Sequence, residues 1–175
     1  MSRFILYRTT EADIAEAKRR AQRQGILKSS VTKGKGRMTG FLGEVAFGKM
    51  FPEARYVGGE SFTHDYEIFG KTVDIKSATC SKIPQENFNA SVIKGEGVKL
   101  PADIYYFMWV QKNHKRVWLG GWCPASTIEK PKFYKHKGDG DGYGFKYHVG
   151  GYRFPIAVTK SPDSFESLLG KEALL

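Results

Sequence analysis

Apolar positions along this chain recur with three different periods, and each period predicts an element. Phe4-Ile-Leu-Tyr7 is a short apolar run that predicts a first strand. A helix is expected from Thr10, whose side chain can cap the chain end with Asp13 as capping-box partner, to Gly25; Ile14, Ala17 and Ala21 give it a thin apolar stripe. Over 40–51 the residues Phe41, Leu42, Val45, Ala46 and Met50 fall on a 3.6-residue stripe, and Pro52 ends that second helix. The nearly continuous apolar run 104–110 suits a central strand buried on both faces. Residues 117–123 predict the next strand, 124–129 one or two helical turns, and 161–169 a short terminal helix. Residues 81–98 are polar and Asn-rich, without a period, and predict a loop.

The clearest alternation brackets Gly70-Lys71. Runs 65–69 and 72–79 alternate apolar and charged residues, and Gly in the first central position suits a type II′ hairpin turn. In that register Phe69 pairs with Thr72, Ile68 with Val73, Glu67 with Asp74, Tyr66 with Ile75 and Asp65 with Lys76. One face is then apolar and the other charged, while a one-residue slip would mix the two. The charged face sets Glu67 against Asp74 with Asp65 beside them. A like-charge cross-strand pair costs roughly 0.2–1 kcal/mol. Lys76 offsets one of the three charges, and a hard divalent cation with oxygen ligands would offset the rest.

Charge adds a second constraint. The chain of 175 residues has a net charge of +10, with hydrophobic and charged fractions ordinary for one globular domain. A strongly basic chain with one acidic pocket suits an enzyme that attracts a polyanion and holds a metal ion against it. The basic candidates for phosphate contact are Lys33, Lys35 and Arg37 in the Gly- and Ser-rich segment 28–40, and Lys18 and Arg19 near the end of the first helix. Lys18, Arg19, Arg20 and Arg23 either complement the helix dipole on a solvated face or touch phosphates.

Asp65, then Asp74-Ile-Lys76, with Glu44 upstream in Gly-Glu-Val-Ala-Phe, resemble the core of the PD-(D/E)xK nucleases, the restriction-endonuclease-like superfamily. The resemblance spans about 40–110. His64 stands where the family's name puts proline, and no Gln-x-x-x-Tyr segment follows Lys76. The resemblance implies an α/β domain with a mixed central sheet flanked by helices, its core at about 40–123, preceded by the basic segment 10–39 and followed by a basic aromatic segment, 132–169. It further implies a Mg²⁺- or Mn²⁺-dependent endonuclease acting on DNA ahead of RNA, with Glu44, Asp65 and Asp74 as metal ligands and Lys76 as the catalytic lysine. Glu67, opposite Asp74 in the expected register, is the reserve ligand. Paired cuts would require a homodimer.

Other chemistries find little support. Cys80 and Cys123 form neither a zinc spacing nor a disulfide framework and are expected to be reduced thiols of a cytoplasmic protein. The first residues are too briefly apolar for a signal peptide, and no run approaches a membrane span. His64, His114, His136 and His148 show no paired spacing, and no Walker loop, nucleophile elbow or dinucleotide fingerprint is present. His64 is either a relay beside Asp65 or a turn histidine. Asp139-Gly-Asp-Gly-Tyr-Gly144 is read as a turn, because the twelfth position of a calcium loop would be Gly150. The aromatics interleaved with Lys135, Lys137, Lys146 and Arg153 either stack on bases or pack inward. A non-catalytic nucleic-acid-binding protein is the alternative function.

Overall fold

The apolar run at 104–110 forms the middle of the main sheet. The computed structural model describes residues 3–24 and 37–172. In order these form β1 (Ile5–Arg8), α1 (Glu11–Gln24), α2 (Arg37–Met50), β2 (Arg55–Tyr56), β3 (Tyr66–Ile68), β4 (Lys71–Cys80), β5 (Asn89–Val92), β6 (Ile104–Gln111), β7 (Arg116–Pro124), α3 (Ala125–Ile128), β8 (Tyr134–Lys135), β9 (Gly151–Pro155) and α4 (Asp163–Glu172). The main sheet has the order β1-β7-β6-β4-β3-β2, with β4 and β6 parallel and the other neighbours antiparallel. The chain is thus a mixed α/β fold. No helix among the described residues is long and apolar enough to cross a membrane.

Residues of β6 divide by parity, as the period of two requires. Ile104, Tyr106, Met108 and Val110 enter a core beneath α1, α2 and α4 with Phe41, Leu42, Val45, Phe47 and Phe165. Tyr105, Phe107 and Trp109 enter a second core with Val92, Phe133 and Phe154. That second core is closed by a sheet of order β5-β9-β8. The expectation of a loop over 81–98 is therefore corrected: Asn89–Val92 alternates exposed and buried positions and pairs with β9, Ala90 opposite Phe154. The strand escapes notice because its inward residues, Ala90 and Val92, are few and small. The parallel β4/β6 pair needs a crossover, and β5 lies on it, so the second sheet is built into the connection.

Helix α1 starts as expected. The Thr10 backbone N–H donates to Asp13 Oδ2 at 2.8 Å and the Asp13 N–H to Thr10 Oγ1 at 3.2 Å, a reciprocal capping box. Asp13 also accepts the Tyr7 hydroxyl at 2.9 Å, joining α1 to β1. Helix α2 begins at Arg37 rather than Gly40. It lies close against the sheet because two of its glycines face strands: a β-carbon on Gly43 would stand 1.9 Å from Ser77 Oγ, and one on Gly48 2.5 Å from the Tyr66 hydroxyl. In the segment 132–154 the aromatics split. Phe133, Tyr152 and Phe154 pack inward, while Tyr143 and Phe145 are exposed. Asp139 and Asp141 accept backbone N–H groups of their own loop, from His136 and from Tyr143 and Phe145 respectively, so the loop is a turn.

Candidate functional site

Three elements deliver the charged side chains. The β3–β4 hairpin turns at Phe69-Gly70, both left-handed with φ of 45° and 73°, so the turn is of the I′ kind and lies one residue earlier than expected. Tyr66 pairs with Val73, Glu67 with Thr72 and Ile68 with Lys71. The expected register is corrected accordingly. Thr72 is anchored on its other side to the start of β6: its N–H and hydroxyl both donate to Asp103 Oδ2 at 2.9 Å, and its Oγ1 accepts the Asp103 N–H at 2.9 Å. Face parity survives the shift, since each partner moves by two. The partners of the acids do not survive it.

Asp65 lies just before β3 and is bonded to β4 on both sides of Asp74. Its N–H donates to Val73 O at 3.0 Å, and its Oδ2 accepts the Ile75 N–H at 2.8 Å. Lys76, two residues beyond Asp74 on the same face of β4, places Nζ 2.7 Å from Asp74 Oδ2. Glu44 comes from α2, next to the close-packed Gly43. It is only 9% exposed, with Oε2 accepting the Tyr56 hydroxyl at 3.0 Å and facing Arg20 Nη1 at 3.6 Å. Glu67, the reserve ligand, is held elsewhere: it pairs with Arg55 at 2.5 Å and His64 at 3.4 Å. It lines a separate open hollow of about 450 Å³ with Arg55 and Phe69.

Electrostatics tie four residues together. Burial pushes the Glu44 carboxyl up to about 7, against the pull of Tyr56 and Arg20, and the Asp74 charge adds to the rise. Asp65 is raised well above the carboxylate range by burial and by the charges of Glu44 and Asp74. Burial works to lower the Lys76 ammonium, but Asp74, Asp65 and Glu44 outweigh it and the group is raised. Three carboxylates face one ammonium and, at Glu44, one guanidinium, so the cluster remains one positive charge short. Glu44, Asp65 and Asp74 each spend one oxygen on the protein bonds named above. Still, among the described residues no three His, Cys, Asp or Glu side chains stand gathered as a metal-binding group. The donor set is that of a hard divalent cation.

Asp65, Asp74 and Lys76 line a cleft of about 290 Å³ whose walls are the 58–64 turn with His64, the Val92-Ile-Lys94 end of β5, and Leu100, Pro101 and Tyr105. His64 is tied into its own turn, Nδ1 lying 2.9 Å from Thr63 Oγ1 and 3.3 Å from Ser61 Oγ, while also facing the cleft. Arg20 and Tyr56 are site residues that periodicity missed. The Arg20 guanidinium lies 3.7 Å from the Tyr56 ring centroid and bonds Glu16 at 3.0 Å. The one signal for Arg20 was Glu16 four residues before it; Tyr56 had none. Of the phosphate-contact candidates, Lys18 is exposed and Arg19 pairs with Glu16 at 2.7 Å. Arg37 Nη1 donates to Ala21 O at 3.0 Å, fastening α2 to α1. Lys33 and Lys35 lie outside the described residues. No family model matches the chain, and no curated protein is found to be similar to it.

Proposed function

We propose that the protein is a divalent-metal-dependent nuclease of the PD-(D/E)xK kind, an endonuclease whose main substrate is DNA. The observation behind this reading is the cluster itself: an acid from a helix, two acids from a hairpin and a lysine on one strand face, under-neutralised, in a chain of net charge +10. Asp65 and Asp74 would hold the cation with help from Glu44, and when bound it would polarise a phosphate and acidify a water. Lys76 faces the cleft with 37% of its side chain exposed, so its ammonium can meet charge growing on a phosphate oxygen. Tyr56 and Arg20 orient Glu44 from behind. The mixed sheet with α2 packed beside β4 also suits the restriction-endonuclease-like architecture.

The second reading, a nucleic-acid-binding protein without catalysis, is favoured by the engagement of Asp74 with Lys76 and of Glu44 with Tyr56. Incubating plasmid, branched and single-stranded DNA with Mg²⁺ or Mn²⁺, with and without chelator, separates the two. Asp74→Asn and Lys76→Ala should each abolish metal-dependent cleavage. In chelator Asp74→Asn should bind DNA as tightly as the parent or tighter, since a repulsive charge has gone, whereas Lys76→Ala should not gain affinity. Metal-dependent cleavage at the parental rate by folded Asp74→Asn protein would sink the nuclease reading.

A further inference from the structure

Phe62 is 98% exposed, so it contributes almost nothing to the core. Its turn is nevertheless cross-linked from within. Ser61 Oγ accepts the N–H groups of Thr63 and His64 at 3.2 and 3.3 Å, Thr63 Oγ1 contacts the His64 ring, and Glu60 and Ser61 donate to Val57 O at 2.8 Å. The ring is therefore presented to water by a braced turn. It also stands where two hollows meet. On one side is the cleft with Asp65, Asp74, Lys76 and Lys94; on the other is a hollow of about 460 Å³ with Arg20, Arg23, Phe41 and Tyr56. Gly58, Ser61 and Gln24 line both. Cations on either side of a solvent-facing aromatic ring are the arrangement that tracks a phosphate backbone while offering a base a π-face.

We propose that Phe62 is a stacking platform for an unpaired nucleobase next to the phosphate held in the cleft, so that the preferred substrate has a single-stranded or unstacked nucleotide at that point. This rests on the reading that the cleft takes a nucleic-acid strand. A base in an intact duplex already stacks on its neighbours and would have to leave them to reach the ring. The adjoining hollow, with Tyr56 and Phe41 on its wall, gives the next base a place to turn into.

The test uses Phe62→Trp. Trp109, Trp118 and Trp122 are buried, 3%, 5% and 3% exposed, so acrylamide-accessible emission in this variant comes from position 62. The variant is titrated in chelator with a thymidine oligonucleotide and with an abasic strand of equal length. Stacking should quench the exposed indole with the first strand and leave it unchanged with the second. Phe62→Ala and Phe62→Leu, which should fold as the parent does, should bind the base-bearing strand about 5- to 150-fold more weakly and the abasic strand equally well. Equal quenching by both strands, unchanged affinity of Phe62→Ala, or no binding of the base-bearing strand would overturn the proposal. Cleavage is not needed for this readout. Absent cleavage with quenching therefore removes only the nuclease reading, and cleavage that depends on Asp74 without quenching removes only the stacking role.

Discussion

Phe69 stands in the left-handed region, where a β-carbon crowds the following carbonyl at a cost of roughly 1–2 kcal/mol. Asparagine tolerates that region, and Asn-Gly is the preferred pair for this turn. With the Phe69 ring 44% exposed, Phe69→Asn should raise stability by about 1 kcal/mol in denaturant unfolding. A loss would show that the ring's packing outweighs the strain. The same residue explains why the turn could not be placed from sequence. Gly70 suits the first position of a II′ turn and the second position of a I′ turn equally, and nothing about phenylalanine announces φ above zero. Glu44 was legible because it is the lone acid beside an apolar stripe. Arg20 was not, since a run of Lys18, Arg19, Arg20 and Arg23 gives no sign of which member turns inward onto Tyr56.

At the scale of elements, α2 owes its position to its missing side chains. In Gly48→Ala the new methyl meets the Tyr66 hydroxyl and ring, which are fixed by the bond to Glu44 O at 2.6 Å and by packing on Phe47. Overpacking costs about 1–3 kcal/mol against a gain of up to ~1 kcal/mol in helix propensity, so a net loss of up to about 2 kcal/mol is expected. Gly40→Ala in the same helix meets nothing within 4 Å and should instead gain up to about 1 kcal/mol. Thermal melts of the pair check the argument, and two changes of one sign would refute it. Elements with long apolar runs or reciprocal caps, such as β6 and the start of α1, were readable because many residues agree. Hydrophobic patterning reads hairpin pairing only modulo two. It separated the apolar face from the charged one, yet could not say whether Glu67 faces Asp74 or Thr72. That difference decides which acids share the site.

For the molecule as a whole, acids raised by burial oppose acids lowered by bonding. Glu44, at about 7, and Asp65 have folded values above their unfolded ones, so their contribution is full below the usual carboxylate range and is lost as pH rises through the folded values. Asp13, Glu16 and Asp103 are lowered, and their contribution is lost only in acid, below that range. Between pH 5 and 8 the raised pair governs. In chelator the melting temperature should therefore fall as pH rises across that window, and Mg²⁺ should restore it at pH 8 more than at pH 5; a flat profile would contradict the burial of the cluster. The ladder of β1 sets a different kind of limit. Ile5 pairs with Leu119 and Arg8 with Arg116, so during synthesis the strand from which α1 springs waits for roughly 110 residues before its partner exists. At typical translation speeds that is roughly 5–20 s. A nascent chain released before β7 would contain Glu44, Asp65, Asp74 and Lys76, but not the strand with which β1 pairs. Early fragments should thus expose β1 without its ladder, while α1 and its Arg20 can already pack on α2.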